Sequence, residues 1–207
     1  YEDGTIGPGD EYWNVGVYDT PPDHTTVDML GGIADSISAH DESTFNLSAG
    51  SVNTLSAFDS STINAFGGFA HTLWAYNTGT ANVSDSADVF SLVAREYGVV
   101  NMSGGVVDHL GPIEFGTVNL SGGFVSDSLA SDSSGVINVF GYNLSKARTG
   151  GKYGFGFVAG QWGDGTAFSI DLMESPTFSR ITLHEIPEPC TLAIVMTGVL
   201  FLRKRQM

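Results

Sequence analysis

The side chains with the greatest catalytic potential recur at intervals of 18 or 19 residues and are mostly acidic, with a single arginine among them. The series comprises Asp41, Asp59, Asn77, Arg95, Glu114 and Asp132. Polysaccharide lyase chemistry requires clustered carboxylates, which commonly bind Ca²⁺, together with a basic side chain that removes a proton. Two carboxylates about 5–10 Å apart would instead serve glycoside hydrolysis. Because any protein with regularly spaced acidic turns meets that distance, we interpret the series as solvated turn residues and predict no catalytic residues.

Neither the histidines nor the serines form a pattern that is typical of a catalytic or metal site. The histidines His24, His40, His71, His109 and His184 are not spaced as His-x-x-x-His. The sequence contains no Gly-x-Ser-x-Gly motif, and its only cysteine, Cys190, excludes a Cys-based zinc site within one chain. We therefore predict no metal centre and no cofactor, with Ca²⁺ bound by the acidic turns as an alternative. Trp74 and Tyr76 are candidates for contact with a carbohydrate.

The charge distribution excludes one large class of partner. The 207 residues include 23 acidic and 8 basic side chains, for a net charge of −15. Arg95 is the only Lys or Arg before Lys146, so no basic stripe is available to neutralise phosphates, and we predict no nucleic-acid partner. The 27 glycines and 42% apolar residues favour a turn-rich β protein over a disordered one. The sequence starts at Tyr1 without an apolar run, which suits either a removed export signal or a fragment.

The element that would position all these side chains is an internal repeat. Its most regular feature is a column of amide or carboxylate residues spaced by 18 or 19 positions: Asp28, Asn46, Asn64, Asn82, Asn101, Asn119 and Asn138. Segments such as Thr62-Ile63-Asn64-Ala65 alternate polar and apolar residues, which predicts short strands. Gly-Gly pairs follow in several repeats and permit sharp turns. A second apolar column is formed by Ile37, Leu55, Leu73, Leu92, Leu110 and Leu129.

We predict an all-β fold in which residues 28–142 form a parallel β-solenoid of about six 18–19-residue rungs. One repeat cannot bury its own apolar face, so stacking must supply the core. A β-sandwich is the alternative, but it requires no constant register. The missing hexapeptide pattern of left-handed coils favours right-handed coiling, and the handedness stays open. Residues 1–27 are expected to form an N-terminal cap, and residues 143–185 an antiparallel β cap.

The last 22 residues, 186–207, differ in composition from the rest. A Pro187-Glu188-Pro189 motif precedes an apolar run from Cys190 to Leu202, and the basic cluster Arg203-Lys204-Arg205 follows directly. As a helix, this run would span roughly 20 Å, less than the ~30 Å hydrocarbon core of a bilayer. The basic cluster would remain cytoplasmic, which places the body of the protein on the other side of the membrane.

These three parts, in this order at the end of the sequence, resemble the PEP-CTERM sorting signal of bacterial exported proteins. The resemblance covers residues 186–207 and implies export, transient anchoring in the inner membrane by a short transmembrane helix, and recognition by an exosortase-type sorting enzyme. It assigns Pro187, Glu188 and Pro189 as recognition residues and Arg203, Lys204 and Arg205 as the stop. It further implies a cell-surface or extracellular location, often in a biofilm matrix with exopolysaccharide. The repeats more loosely resemble the β-helical passengers of bacterial surface proteins.

From the sequence we therefore expect an exported cell-surface or extracellular-matrix protein with a structural or adhesive role, and not an enzyme. Two alternatives remain open. The first is a β-helix that binds or degrades polysaccharide, and the second is a Ca²⁺-dependent matrix module.

Overall fold

The computed structural model describes residues 3–19, 24–132 and 134–187. Its regular secondary structure is almost entirely β-strand, arranged as a parallel β-solenoid of about seven turns, which confirms the predicted all-β solenoid. The short C-terminal helix predicted to follow it lies outside the described residues. The elements in chain order are β1 (Gly4–Ile6), β2 (Glu11–Val17), β3 (Thr26–Ala39), β4 (Thr44–Ala57), β5 (Thr62–Ala65), β6 (Phe69–Ala75), β7 (Thr80–Val83), β8 (Asp88–Arg95), β9 (Val99–Ile113), β10 (Thr117–Leu129), β11 (Val136–Ala147), β12 (Phe157–Gln161), β13 (Ala167–Asp171), α1 (Thr177–Arg180) and β14 (Ile181–Glu185).

The solenoid has two faces, each of which is a sheet of parallel strands. Each coil contributes one strand segment to each face. The first face, here called the amide face, has the strand order β1-β3-β4-β5-β7-β9-β10-β11-β14. The second, here called the ring face, is formed by β2, β6, β8 and the later halves of β3, β4, β9 and β10. In some coils one long bent strand serves both faces, and in others two strands are separated at the corner.

Two types of corner close the coil. The corner after the amide face uses glycine at positive φ in most coils, as at Gly50 with φ 97°, and Asp85 with φ 51° between β7 and β8. A Cβ on Gly50 would lie only 2.7 Å from the Gly32 carbonyl oxygen of the preceding coil, so no larger residue fits without a backbone shift. The corner after the ring face uses non-glycine residues at φ between 54° and 59°: Asp41, Asp59, Asn77, Glu96 and Glu114. Asn and Asp tolerate this conformation better than most residues because their side chains bond the local backbone.

The core lies between the two faces and consists of stacked apolar columns. The predicted column Ile37, Leu55, Leu73, Leu92, Leu110 and Leu129 is at most 2% exposed throughout. On the amide face, the residues on either side of each column asparagine point inward, as Ile63 and Ala65 do around Asn64. Stacking thus buries apolar side chains that a single coil would leave in water.

The described part of the expected N-terminal cap is itself a coil of the solenoid. Strand β1 pairs in parallel with the start of β3, and β2 pairs in parallel with its end. Thr5 occupies the asparagine position beside Asp28, and Val15 occupies the leucine position beside Ile37. The repeat therefore begins one coil earlier than the asparagine pattern indicates, because residues of other types fill the same positions.

The C-terminal region combines an antiparallel hairpin with one more parallel strand. Strand β12 runs antiparallel to both β11 and β13, as expected for the predicted cap. Strand β14, which carries Ile181 and Leu183, instead pairs in parallel with β11, so the last strand of the expected cap over residues 143–185 is not antiparallel. These two residues align with Ile137 and Val139 and extend the apolar columns of the amide face. Within the described ranges, no helix is both long and apolar enough to cross a bilayer.

Candidate functional site

The column of repeated amides forms one continuous hydrogen-bonded ladder along the amide face. Parallel pairing places all seven residues side by side, from Asp28 to Asn138. Each asparagine donates from its Nδ2 to the Oδ1 of the preceding member, over 2.8–2.9 Å. At the far end, His184 Nε2 lies 3.1 Å from Asn138 Oδ1. Because that oxygen is an acceptor, this contact assigns the histidine proton to Nε2.

The ladder has a single direction, and its first member determines that direction. An internal asparagine such as Asn82 donates toward the N-terminal end and accepts from the other side. The oxygen of the Asp28 carboxyl group that faces Asn46 is the acceptor, so Asn46 turns its NH₂ group toward it. Every later amide then takes the same orientation. The ladder is thus a structural device that locks the register between coils.

The outer surface of the ring face carries a groove rich in exposed apolar side chains. It crosses the first four coils and has a volume of about 620 Å³. Trp13 is 87% exposed, Ile33 57% and Phe69 38%. Its other lining residues are Glu11, Tyr12, Ala34, Asp35, Ser51, Asn53 and His71. Apolar surface of this extent, rimmed by polar residues, marks an interaction site more often than an inert surface.

The polar groups of the groove include two carboxylates, an amide, a hydroxyl and an imidazole. Asn53 Nδ2 donates to Asp35 Oδ1 over 3.2 Å, in a solvent-exposed pair formed across neighbouring coils. Glu11 and Ser51 add a carboxylate and a hydroxyl, and no Lys or Arg is among the lining residues. The groove therefore combines flat apolar contacts with hydrogen-bonding groups and carries negative charge.

Aromatic rings extend the ring face beyond the groove. His71 stacks on Phe90 with ring centroids 4.8 Å apart, and Phe90 meets His109 edge-on at 5.2 Å. A second column of stacked rings, Tyr18, His40, Phe58 and Tyr76, has centroid spacings of 4.7–5.0 Å. Trp74 packs against Tyr76 at 5.3 Å, so both predicted carbohydrate-contact candidates lie on this face.

Arg95 lies in a different column from the one its spacing predicts. The strand register pairs Ala75 with Ala94, so Arg95 follows the stacked rings and its guanidinium lies 5.9 Å from the Tyr76 ring centroid. Glu96 takes the corner position of Asn77. Because the extra residue of this 19-residue coil enters at the preceding corner, between Val83 and Asp88, every later residue moves by one position.

The electrostatic environment of Arg95 is an ion pair and not a proton-transfer site. Its Nη2 lies 3.4 Å from Glu114 Oε1 in the next coil. The charge of Glu114 raises the pKa of the Arg95 guanidinium above its already high ordinary value. A group held in its protonated form in this way is not suited to act as a base.

A cluster around Asp127 was not foreseen from the sequence. Asp127 accepts hydrogen bonds from the Lys152 ammonium and from the Tyr153 hydroxyl, the latter at 2.7–2.8 Å. These two bonds, that of Lys152 first, hold the pKa of the Asp127 carboxyl below its usual range. They tie the loop before β12 to the ring face at β10.

The Asp127 cluster does not form a serine–histidine–aspartate relay. His109 Nδ1 lies 3.1 Å from both Asp127 Oδ2 and Ser128 Oγ, so the two partners meet the same ring nitrogen. A relay requires the base and its orienting carboxylate to use different nitrogens. The arrangement is therefore a polar contact between the solenoid and its C-terminal hairpin.

One group of side chains in the described part of the chain has the spacing of metal ligands. Asp19, His24 and Glu42 each offer one atom, and His24 Nδ1 lies 3.6 Å from Asp19 Oδ1 and 3.5 Å from Glu42 Oε2. Ca²⁺ takes oxygen ligands, so a histidine nitrogen makes this set a poor match to the expected calcium module. His24 and Glu42 are both largely exposed, which suits solvated charges.

The predicted sorting residues lie mostly beyond the described ranges. Pro187 is the last described residue, whereas Glu188, Pro189, Arg203, Lys204, Arg205 and the apolar run between them fall outside.

No protein-family model, no curated protein and no solved structure matches this chain.

Proposed function

We propose that this protein is an exported β-solenoid with a structural or adhesive role at the cell surface or in the extracellular matrix. The export part of the proposal rests on residues 186–207 and their resemblance to a PEP-CTERM sorting signal. It implies an exosortase-type enzyme as a partner and passage through the inner membrane. We further propose that the protein is not an enzyme.

The observation that carries the structural role is the unbroken amide ladder. Side-chain hydrogen bonds connect every coil from Asp28 to Asn138, in addition to the backbone ladder between the strands. On the ring face, stacked aromatic rings likewise connect neighbouring coils. Such a column resists local opening because no coil can shift without breaking bonds on both sides. A stiff, acidic column suits a scaffold or an adhesive stalk.

Localisation in a bacterium that carries an exosortase tests the proposal. The full chain, with an epitope tag in the solvent-exposed loop around Gly154, should reach the outer fraction, and its recovered form should lack Arg203–Arg205. A matched variant with Pro187, Glu188 and Pro189 changed to alanine should remain in the inner membrane. A soluble cytoplasmic protein with an intact basic terminus would contradict export.

The carbohydrate-binding alternative is favoured by one observation, the groove that contains Trp13 and Phe69. Degradation of polysaccharide would require an acid–base pair, and activity on a panel of acidic and neutral polysaccharides tests it directly. The calcium-module alternative predicts a higher melting temperature in millimolar CaCl₂ than in equal MgCl₂. An unchanged melting temperature would contradict it.

A further inference from the structure

We propose that the groove on the first four coils of the ring face binds a neutral, extended sugar chain that runs along the solenoid axis. This proposal deepens the carbohydrate-binding candidate and does not depend on export. It follows from the apolar surface of the groove, its polar groups, its charge and the spacing of the coils that form it.

The apolar surface is larger than folding requires. Trp13 lies on β2 with 87% of its surface in water, and Ile33 on β3 follows it at 57%. The core of these two coils is already filled by inward-pointing residues such as Val15 and Ile37, so Trp13 and Ile33 are not needed to complete it. A pyranose ring presents a flat C–H face that covers an indole without losing hydrogen bonds to water. Trp13 and Phe69 therefore offer two platforms at opposite ends of the groove.

The polar groups lie where the hydroxyls at the edge of a sugar ring would be. Asp35 and Asn53 present a carboxylate and an amide side by side, joined by their own 3.2 Å hydrogen bond. Such a pair can accept from one hydroxyl and donate to its neighbour, as a vicinal diol requires. Ser51, on the same strand as Asn53, and His71, on the next coil, supply further donors and acceptors. A purely apolar partner would leave these groups without hydrogen bonds.

The charge decides which sugars fit. Glu11 and Asp35 are acidic, and no Lys or Arg lines the groove. Arg95 is the only Lys or Arg before Lys146, so the surrounding field is negative as well. Uronic acids, sulfated sugars and phosphates would meet like charge at short range. The groove therefore favours neutral sugars.

The spacing of the coils favours an extended chain. Neighbouring strands are ~4.8 Å apart, so the four coils of the groove present their side chains over roughly 14 Å. The advance per residue of an extended β-linked pyranose chain is close to one strand spacing. Successive sugars would then meet successive coils, from Trp13 on the first to Phe69 on the fourth.

Calorimetric titration of the full chain in a sugar-free detergent tests the proposal. The probes are neutral oligomers of β-1,4-linked glucose, mannose and N-acetylglucosamine, with oligogalacturonate of equal length as the charged counterpart. We expect a neutral oligomer to bind and to shift the tryptophan emission to shorter wavelength. Trp13→Ala should weaken binding about tenfold or more because a stacking platform is lost. The control Tyr97→Ala removes another exposed ring, 65% in water and outside the groove, and should bind as the wild type does.

The charge argument has its own test. The double variant Glu11→Gln with Asp35→Asn should narrow the difference between neutral oligomers and oligogalacturonate, which we expect to exceed tenfold in the wild type. Binding by none of the neutral oligomers would overturn the proposal, as would equal binding by Trp13→Ala or an unchanged preference in the double variant. Sedimentation provides a further check. Self-association that Trp13→Ala abolishes in the absence of sugar would make the groove an interface between copies and would also overturn it.

Discussion

Replacing Asn82 by aspartate should destabilise the solenoid by breaking the direction of the amide ladder. Asp28 and an aspartate at 82 would both require a donor from the two asparagines between them. The three contacts from residue 28 to residue 82 each need one NH₂ donor, but only Asn46 and Asn64 have an NH₂ group, and each has one. One of the three contacts must therefore bring two oxygens together. The loss of a bond worth about 1 kcal/mol and an unsatisfied, half-buried acceptor together cost about 2 kcal/mol.

A second substitution should restore the ladder. With Asp28→Asn, residue 28 can donate to Asn46, which then donates to Asn64, and Asn64 to the new aspartate. All three contacts are satisfied again with reversed amides. The double variant should therefore be more stable than Asn82→Asp alone, although it carries one more substitution. Independent effects would instead add.

Thermal and chemical unfolding followed by circular dichroism measure this coupling. For a chain of this size, about 2 kcal/mol corresponds to a fall of about 4–8 °C in melting temperature. Asn77→Asp is the matched control, because Asn77 also donates to a side chain of the preceding coil, here Asp59, but in solvent over 3.3 Å. It should cost no more than about 0.5 kcal/mol. Equal effects at 77 and 82, or no recovery in the double variant, would refute a directional ladder.

Three further outcomes follow from the fold. Leu73→Ala should lower the unfolding free energy by about 3 kcal/mol in chemical denaturation, because Leu73 is fully buried in the core. Gly50→Ala should cost at least about 2 kcal/mol by the same measurement, owing to its φ of 97° and the nearby carbonyl. Gly163→Ala should cost little, because a Cβ there would make only an ordinary van der Waals contact, 3.5 Å from Ile186 Cδ1. Asp127→Asn should speed tryptic cleavage after Lys152 at neutral pH. Because the pKa of Asp127 is lowered in the fold, its stabilising effect is present above the ordinary aspartate pKa. In thermal unfolding, the difference in stability between variant and wild type should therefore vanish as the pH falls through the lowered value. Equal cleavage at neutral pH would contradict the proposed tie between loop and solenoid.

The repeat made the solenoid predictable because each coil meets a copy of itself. A residue at one position contacts its equivalents above and below, so like side chains recur along the sequence wherever stacking favours them. The asparagines from Asn46 to Asn138 and the leucines from Leu55 to Leu129 follow this rule and revealed the period. The glycine corners follow it too, since the close approach of neighbouring coils excludes a Cβ at Gly50.

The groove and the Asp127 cluster were not predictable in the same way. Trp13 belongs to a coil in which Thr5 and Val15 stand at the asparagine and leucine positions of the repeat. The sequence period therefore gave no indication that Trp13 lies beside Asp35 and Asn53. The contact between Asp127 and Lys152 joins the regular repeat to a loop outside it. Which aromatic residues of different coils lie side by side can be deduced only once the strand register is known.

The amino-acid sequence by itself therefore determined the coil length, the inward columns and the amide ladder, because these depend on contacts between equivalent positions. The tertiary structure alone decided which outward residues are neighbours. A single extra residue at the corner between Val83 and Asp88 moves Arg95 from the acidic corners to the stacked rings, and one step along a strand exchanges its two faces. The same register brings Trp13, Asp35 and Phe69 into one groove.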